Sequence, residues 1–547
     1  MYCLFLLFWN FFVYSVKYFI SFHRKMESKM EEKSNLAHRK VFISFLGTTD
    51  YKICNYYFDG DENDRVCNVR HVQEAIVSHE CKGWSENDRI LIFLTKAARA
   101  NNWESGTYKP SNGHEIGEFI DELANLKFGD AKWGLKEQLH KLAEQGFFPE
   151  SIVKDEPLDS EGFSEDEIWN IFNTIESKIE ENDEIYFDFT NGFRNLPMLG
   201  MVLLTYLKNT KNIAIGEIYY GAFEKLGPAY KVNGFPLDKR NAPVLRLKSF
   251  NDIMDFSTAA NVFIKYGNGK PLHSLMTEWA NRNRSEKKEW EFTRKLQELA
   301  NTLKKLTDNF LTCRGAEICY ESGTKDGSIF NQLQAWFENY DSTGYENKDF
   351  KALYPMIEKI REKYDVFDTR NSSRNGLKAA YWCFQNQMYQ QSITLLQETI
   401  VTACVEKVGL HPDVEAERSV VEKKLKEGAE KGESKKLDSP RWLSELENLV
   451  ASYESKLSEK NADADTLKDF LIDEVRLKSI KEKISEIPEE LGSFMQTLTS
   501  IRNDMAHAGF LRTHPYVSGT EAKPASSIIG SLKSVFESLN RISSLLS

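Results

Sequence analysis

The sequence has little cysteine, no excess of positive charge and no glycine-rich nucleotide loop of the common kinds. Eight cysteines in 547 residues is a low density, and no Cys-x-x-Cys pair occurs among them. A zinc ribbon or a thioredoxin-type site is therefore unsupported, and free thiols in a reducing compartment are expected. Lys and Arg number 71 against 82 Asp and Glu, for a net charge of −11. A surface of that sign repels phosphate, so the chain does not coat itself non-specifically in nucleic acid, although a local basic cleft remains open to it. Neither a Walker lysine loop nor a Gly-x-Gly-x-x-Gly fingerprint is found, which disfavours an ordinary NTPase or dinucleotide enzyme. No internal repeat is evident. What is present is 41% hydrophobic and 28% charged residues. That composition builds real cores and excludes wholesale disorder, and the length suggests about three or four domains.

Residues 1–22 (MYCLFLLFWNFFVYSVKYFISF) stand apart. The run is about the minimum length for a membrane span, but Lys17 lies inside it. It lacks a basic leader and a small-residue cleavage site, so it makes a poor signal peptide. Two readings stand. The segment is a marginal anchor, with His23, Arg24 and Lys25 on the cytoplasmic side, or translation starts at Met26 or Met30 and the upstream residues are an extension. The second is favoured, and either way the body is expected in the cytoplasm.

From Lys40 onward, short apolar runs alternate with amphipathic stretches. Val41–Leu46, Arg89–Thr95, Glu184–Asp188 and Ile213–Tyr220 read as buried strands. Lys52–Phe58 and Val66–Val69 flank an Asp-Gly pair, as in a hairpin. Val72–His79, His114–Leu126, the stretch opened by the capping box Ser164/Glu167, and Leu196–Leu207 read as helices. Such alternation implies an open, mostly parallel α/β sheet. Past Lys248 strand signals vanish. Helical periodicity marks Trp290–Thr307, Lys351–Tyr364, Gly376–Lys407 (a helix pair), Pro440–Leu457, Ala464–Val475 and Leu491–Ala508. The Lys/Glu-rich stretch 411–439 reads as a solvated insertion. The expected organisation is an extension over 1–30, a Rossmann-like α/β domain over 38–248, a helical connector over 249–345, and an all-α domain over 346–547.

Two places carry candidate chemistry. The first is a pair of strand ends: Gly47-Thr48-Thr49 after the first strand, and Asp188-Phe189-Thr190-Asn191-Gly192-Phe193-Arg194 after a later one. In an open parallel sheet ligands bind beyond the carboxyl ends of the strands. Glycine admits close backbone approach, Thr hydroxyls and a following helix N-terminus suit a phosphate, and Arg194 adds a bidentate donor. Spacing alone also fits a turn that merely caps the next helix. The second is Arg502-Asn503-Asp504-Met505-Ala506-His507, behind an apolar stripe of Leu498, Ile501 and Met505. Metal-free RNA cleavage needs a proton-handling group near neutral pH and a cation for the crowded phosphate, which His507 and Arg502 would supply. Positions five apart on a regular helix lie roughly 140° from each other. The pair therefore shares a phosphate only if the helix end distorts or a second chain brings its copy alongside. A surface Arg and a helix-terminal His fit the same spacing.

Taken together and in this order, the two motifs resemble those of the CRISPR-associated accessory ribonucleases of type III systems, in which a CARF sensor domain precedes a helical HEPN nuclease domain. DFTNGFRNLP resembles that family's Asp-x-Thr-His-Gly signature, with Asn191 standing where the family usually has His. Gly47-Thr48-Thr49, Leu94-Thr95, Ala98 and Asn102-Trp103 also fit. RNDMAH resembles the HEPN Arg-x4-His motif, and Gln397-Glu398 resembles the early HEPN helix.

The resemblance implies a homodimer whose paired CARF domains bind a cyclic oligoadenylate, with cyclic tetra-adenylate favoured, through Gly47, Thr48, Thr49, Thr190, Asn191, Gly192 and Arg194. It further implies a HEPN endoribonuclease that cuts single-stranded RNA without metal or other cofactor and binds no DNA stably. Arg502 and His507 would carry catalysis, with Asn503 as a positioning residue, leaving 2′,3′-cyclic phosphate ends. The competing functions are a non-catalytic nucleotide-sensing regulator and, if residues 1–22 are genuine, a membrane-tethered effector.

Overall fold

A computed structural model describes residues 38–105, 133–191, 196–232, 234–282, 287–319, 328–343, 348–367, 373–430, 440–457, 470–506 and 522–542. The expected helix His114–Leu126 and the apolar run 1–22 lie outside them, as does the stretch before residue 38. The chain divides into two compact units, Met1–Asn251 and Asp252–Ser547.

The first unit is built on an eight-stranded sheet. Its strands are β1 (Lys40–Leu46), β2 (Cys54–Phe58), β3 (Asp61–Val69), β4 (Arg89–Thr95), β5 (Val153–Leu158), β6 (Glu184–Asp188), β7 (Ala214–Gly221) and β8 (Asn241–Arg246), in the spatial order β3-β2-β8-β7-β6-β1-β4-β5. Strands β7-β6-β1-β4-β5 run parallel, and β8 joins β7 antiparallel. β1 is buried along almost its whole length, as a strand covered by helices on both faces must be. Its alternate residues feed two cores. Val41, Ile43 and Phe45 face α3 (Glu165–Glu176) and α4 (Leu196–Lys211). Phe42 and Leu46 face α1 (Val72–Glu80) and α2 (Leu135–Glu144).

The hairpin forms where the Asp-Gly pair marks it. Asp59 and Gly60 take φ of 51° and 77°, the positive pair that lets a two-residue turn follow the strand twist. Strands β5 and β8 are additions to the sequence reading. β5 (VKDEPL) carries Pro157 and polar residues at the sheet edge, where a missing ladder donor is tolerated but no apolar alternation betrays the strand.

The chain passes on through α5 (Lys248–Tyr266). The second unit continues as α6 (Lys270–Arg282), α7 (Lys287–Leu311), α8 (Gly315–Cys319), α9 (Ile329–Thr343), α10 (Tyr354–Tyr364), α11 (Ser373–Gln385), α12 (Tyr389–Val408), α13 (Glu415–Glu430), α14 (Arg441–Leu457), α15 (Glu474–Ser485), α16 (Glu489–Ala506) and α17 (Ala525–Ile542). The helix pair α11/α12 breaks at Gln387, with φ of 63°. α12 is buried on nearly every side, which makes it the axis of the unit. One continuous core runs from Phe256 to Leu539, so the helices read as a connector over 249–345 share it with those of 346–547. Within the stretch 411–439, residues 411–430 differ from a solvated insertion, because α13 occupies residues 415–430 and buries Val420, Val421 and Leu425; residues 431–439 lie outside the described residues. Glu417, 1% exposed, accepts from Tyr453 Oη at 2.6 Å and from the His411 amide at 2.6 Å. The buried positions are outnumbered by Lys and Glu, and that average hides the apolar stripe. No helix among the described residues is long and apolar enough to cross a membrane.

Candidate functional site

β1 lies between β4 and β6; after the β2–β3 hairpin the chain enters β4 and β5 on one side of β1, and it later enters β6 and β7 on the other. This is a topological switch point, where neighbouring strand ends send their loops apart and leave a crevice. Ser44 of β1 sits opposite Asp188 of β6 in register, which brings two loops 140 residues apart in sequence to one edge. Between them opens a cleft of about 190 Å³, lined among others by Gly47, Thr48, Thr49, Tyr51, Thr95, Thr190 and Asn191.

Phe45, Leu46, Phe93, Leu94 and Leu158 complete the lining, and behind Thr190 lies a buried polar cluster. Asp188 is completely buried at the end of β6. Its carboxylate accepts from Ser44 Oγ at 2.8 Å, from the Thr190 amide at 2.9 Å, and from the Thr190 hydroxyl. Burial raises its pKa, against the pull of the Thr190 and Ser44 hydrogen bonds. Thr190 Oγ1 in turn accepts from the Gly221 amide at 2.7 Å. Gln73 closes the ring from beneath, donating to Ser44 Oγ at 3.1 Å and to the Phe45 carbonyl at 3.0 Å. The turn Asp188–Asn191 is thus fixed by hydrogen bonds to two neighbouring strands, and a fixed turn presents its remaining groups at one place.

The opposite wall is the loop after β1. The Gly47 amide donates to Tyr51 Oη at 2.9 Å. Burial pushes the Tyr51 phenol up to about 12, so it stays a neutral hydroxyl. A Cβ added at Gly47 would stand 2.5 Å from Tyr51 Oη, so any larger residue here must push the phenol aside. Gly47→Ala is expected to displace the Tyr51 ring and to cost about 1–3 kcal/mol, as overpacking does in a filled site. Urea unfolding of the full chain measures this, and an unchanged midpoint would show that the ring moves freely.

Of the residues expected to line an activator site, Gly47, Thr48, Thr49, Thr190 and Asn191 come together here. Gly192 and Arg194 lie outside the described residues. Tyr51 was not singled out by sequence, because nothing in a Thr-Thr-Asp-Tyr run signals a phenol folded back on the glycine. Asp188 stood in the motif as the end of its strand, whereas Ser44 left only a fainter trace as a polar residue inside an apolar run.

In the second unit Leu498 and Ile501 are fully buried and Met505 packs against the core, as the apolar stripe predicts. That packing turns Arg502 and Asn503 outward, and both are exposed near the end of α16. Arg502 makes no ion pair among the described residues. Its neighbours are tied down: Asp504 accepts from the Lys523 amide at 3.0 Å, and Lys523 Nζ donates to Ser500 Oγ at 3.1 Å. Gln397 of α12 donates to Thr499 Oγ1 at 2.9 Å, which joins the early helix to the motif-bearing one. His507 lies outside the described residues.

Residues 41–224 match the family model described as CRISPR system endoribonuclease Csx1, CARF domain. The chain is also similar to the CRISPR-associated protein MJ1674 of Methanocaldococcus jannaschii, at 23% identity over 414 residues, 70% of this chain and 56% of that protein. It therefore spans little more than half the length of that relative. Residues 41–224 of the first unit are thus matched as a CARF domain, as the motifs suggested, and a helical part follows in a chain that resembles a CRISPR-associated protein.

Proposed function

We propose that this chain is a cyclic-oligoadenylate-activated, metal-independent endoribonuclease that cleaves single-stranded RNA in type III CRISPR defence. The observation that carries the reading is the cleft at the strand ends, where hydroxyl-bearing loops meet over a buried carboxylate that fixes one of them. Thr48, Thr49 and Asn191 offer hydrogen bonds to phosphate and base, while Thr190, whose amide and hydroxyl both donate to the buried Asp188, lines the cleft and fixes the turn that carries Asn191. Gly192 and Arg194 follow directly in sequence and complete the activator set. A ring of phosphates has a repeated structure, and two copies of the cleft in a homodimer would hold it from both sides.

The nuclease reading rests on Arg502 and His507. With an internal nucleophile the reaction needs no metal. His507 takes the proton of the 2′-hydroxyl, that oxygen attacks the adjacent phosphorus, and the 5′-oxygen leaves with a proton returned from an acid. The products carry a 2′,3′-cyclic phosphate and a 5′-hydroxyl. Arg502, exposed and without a competing carboxylate among the described residues, would hold the non-bridging oxygens as charge grows on them. Asn503 beside it would position the strand.

The test is incubation of the full chain with labelled single-stranded RNA in EDTA, alone and with cyclic tri-, tetra- or hexa-adenylate. Cleavage with one ring, leaving cyclic phosphate ends, is the expected result. Activator binding without cleavage by any ring would favour a sensor that is not itself a nuclease.

A further inference from the structure

A loop that receives an anion must turn its carbonyl oxygens away from it, because their lone pairs repel phosphate oxygens as strongly as amides attract them. The loop after β1 has its carbonyls claimed from outside. Asn102 Nδ2 donates to the Gly47 and Thr49 carbonyls, each at 2.9 Å. Asn101 Nδ2 donates to the Thr48 carbonyl at 3.2 Å, and Arg70 Nε to that of Tyr51 at 3.3 Å. Asn102 is fully buried, and both hydrogens of its amide are used in these two bonds. Its Oδ1 accepts from Arg70 Nη2 at 3.0 Å, which fixes the orientation of the amide. Arg70 is held in its turn by the Trp133 carbonyl at 3.1 Å and faces the Asp50 carboxylate at 3.7 Å. Asn101 and Asn102 sit in the π-helical turn Arg99–Trp103 that comes after β4, so the segment beyond β4 shapes the loop after β1.

We infer that Asn102, braced by Arg70, is a positioning residue that makes this cleft selective for a phosphate-bearing ligand by holding the carbonyls of residues 47–49 away from it. The inference deepens the activator reading and rests on it. Asn102 does not touch the ligand; it acts through the backbone of Gly47, Thr48 and Thr49. Thr48 and Thr49 line the cleft, and with their carbonyls tied back they meet a ligand through hydroxyls and amides.

The experiment measures binding of fluorescent cyclic tetra-adenylate to the full chain, beside its RNA cleavage at saturating activator. Asn102→Asp keeps the side chain's shape and its contact with Arg70, but it removes both donors and sets a carboxylate oxygen against two carbonyls. Loss of two buried hydrogen bonds is expected to weaken binding by about ten- to a hundredfold. Cleavage at saturation should stay within about twofold of wild type, a split that a general loss of structure would not produce. Asn101→Ala, on a partly exposed residue with one such bond, should weaken binding by about two- to fivefold and keeps the test open if Asn102→Asp fails to fold. Unchanged affinity in either folded variant overturns the inference while leaving the activator reading intact. Wild-type protein that binds no cyclic oligoadenylate overturns that reading, and the inference falls with it.

Discussion

Arg502→Ala leaves activator binding unchanged and lowers RNA cleavage by about a hundred- to a thousandfold, the range for removing one preorganised cation or donor from a developing charge. His507→Ala does the same by about a hundred- to ten-thousandfold, as expected for a lost general base. The two expectations differ in what they would reveal. Arg502 is exposed on α16, and a surface substitution of that kind moves stability by no more than about 0.5 kcal/mol. A fall in activity therefore reports chemistry and not unfolding. Arg502→Lys discriminates further, since an ammonium keeps the charge but loses the planar fork and should not restore the rate. Single-turnover cleavage of a labelled oligonucleotide measures all three. Full activity in Arg502→Ala would remove the nuclease assignment from this helix.

Asp188→Ala is expected to be the most damaging single change in the first unit. It leaves Ser44 Oγ, the Thr190 amide and the Thr190 hydroxyl without the acceptor they share. Each buried donor so stranded costs about 1–3 kcal/mol. The CARF unit should lose roughly 3–5 kcal/mol in denaturant unfolding, a size associated with a broken buried network. Activator affinity should fall with it, because the Thr190 turn is no longer tied to both neighbouring strands. Asp188→Asn is the informative companion. It keeps one acceptor oxygen, so it should retain much of the stability while its amide group finds donors where it needs acceptors. An Asp188→Ala protein as stable as wild type would show that the ring of bonds is incidental.

How much of this was legible in the sequence follows from burial. β1, β4 and β6 are covered on both faces and read as continuous apolar runs, so their ends, and the loops that build the cleft, could be placed from residue types alone. The rule that ligands sit beyond the carboxyl ends of parallel strands then joined Thr48 to Thr190 across 142 positions. Strands β5 and β8 lie outside that central pattern, at an edge or in mixed pairing, and their polar or proline-containing sequences carry no period. Helix α13 failed for another reason: three buried aliphatic residues suffice to dock it, yet Lys and Glu dominate its average. Tyr51, Asn102 and Arg70 were invisible as a group because their partnership is set by distance and not by spacing. Asn102 stood in a matching motif, but the bonds it makes to the Gly47 and Thr49 carbonyls require the fold.

The stripe of Leu498, Ile501 and Met505 faces the core, which leaves Arg502 and Asn503 on the exposed side of α16. That stripe says which face is buried and nothing about what the exposed face meets.

The central claim is that an anionic ring bound in the cleft of the CARF unit switches on RNA cleavage by the helical unit. The measurement that meets it most directly follows activator binding and RNA cleavage in one titration of the full chain with cyclic tetra-adenylate in EDTA. The account predicts that both curves rise together and saturate at one ring per two chains. Cleavage already at its full rate before any ring is bound would contradict it.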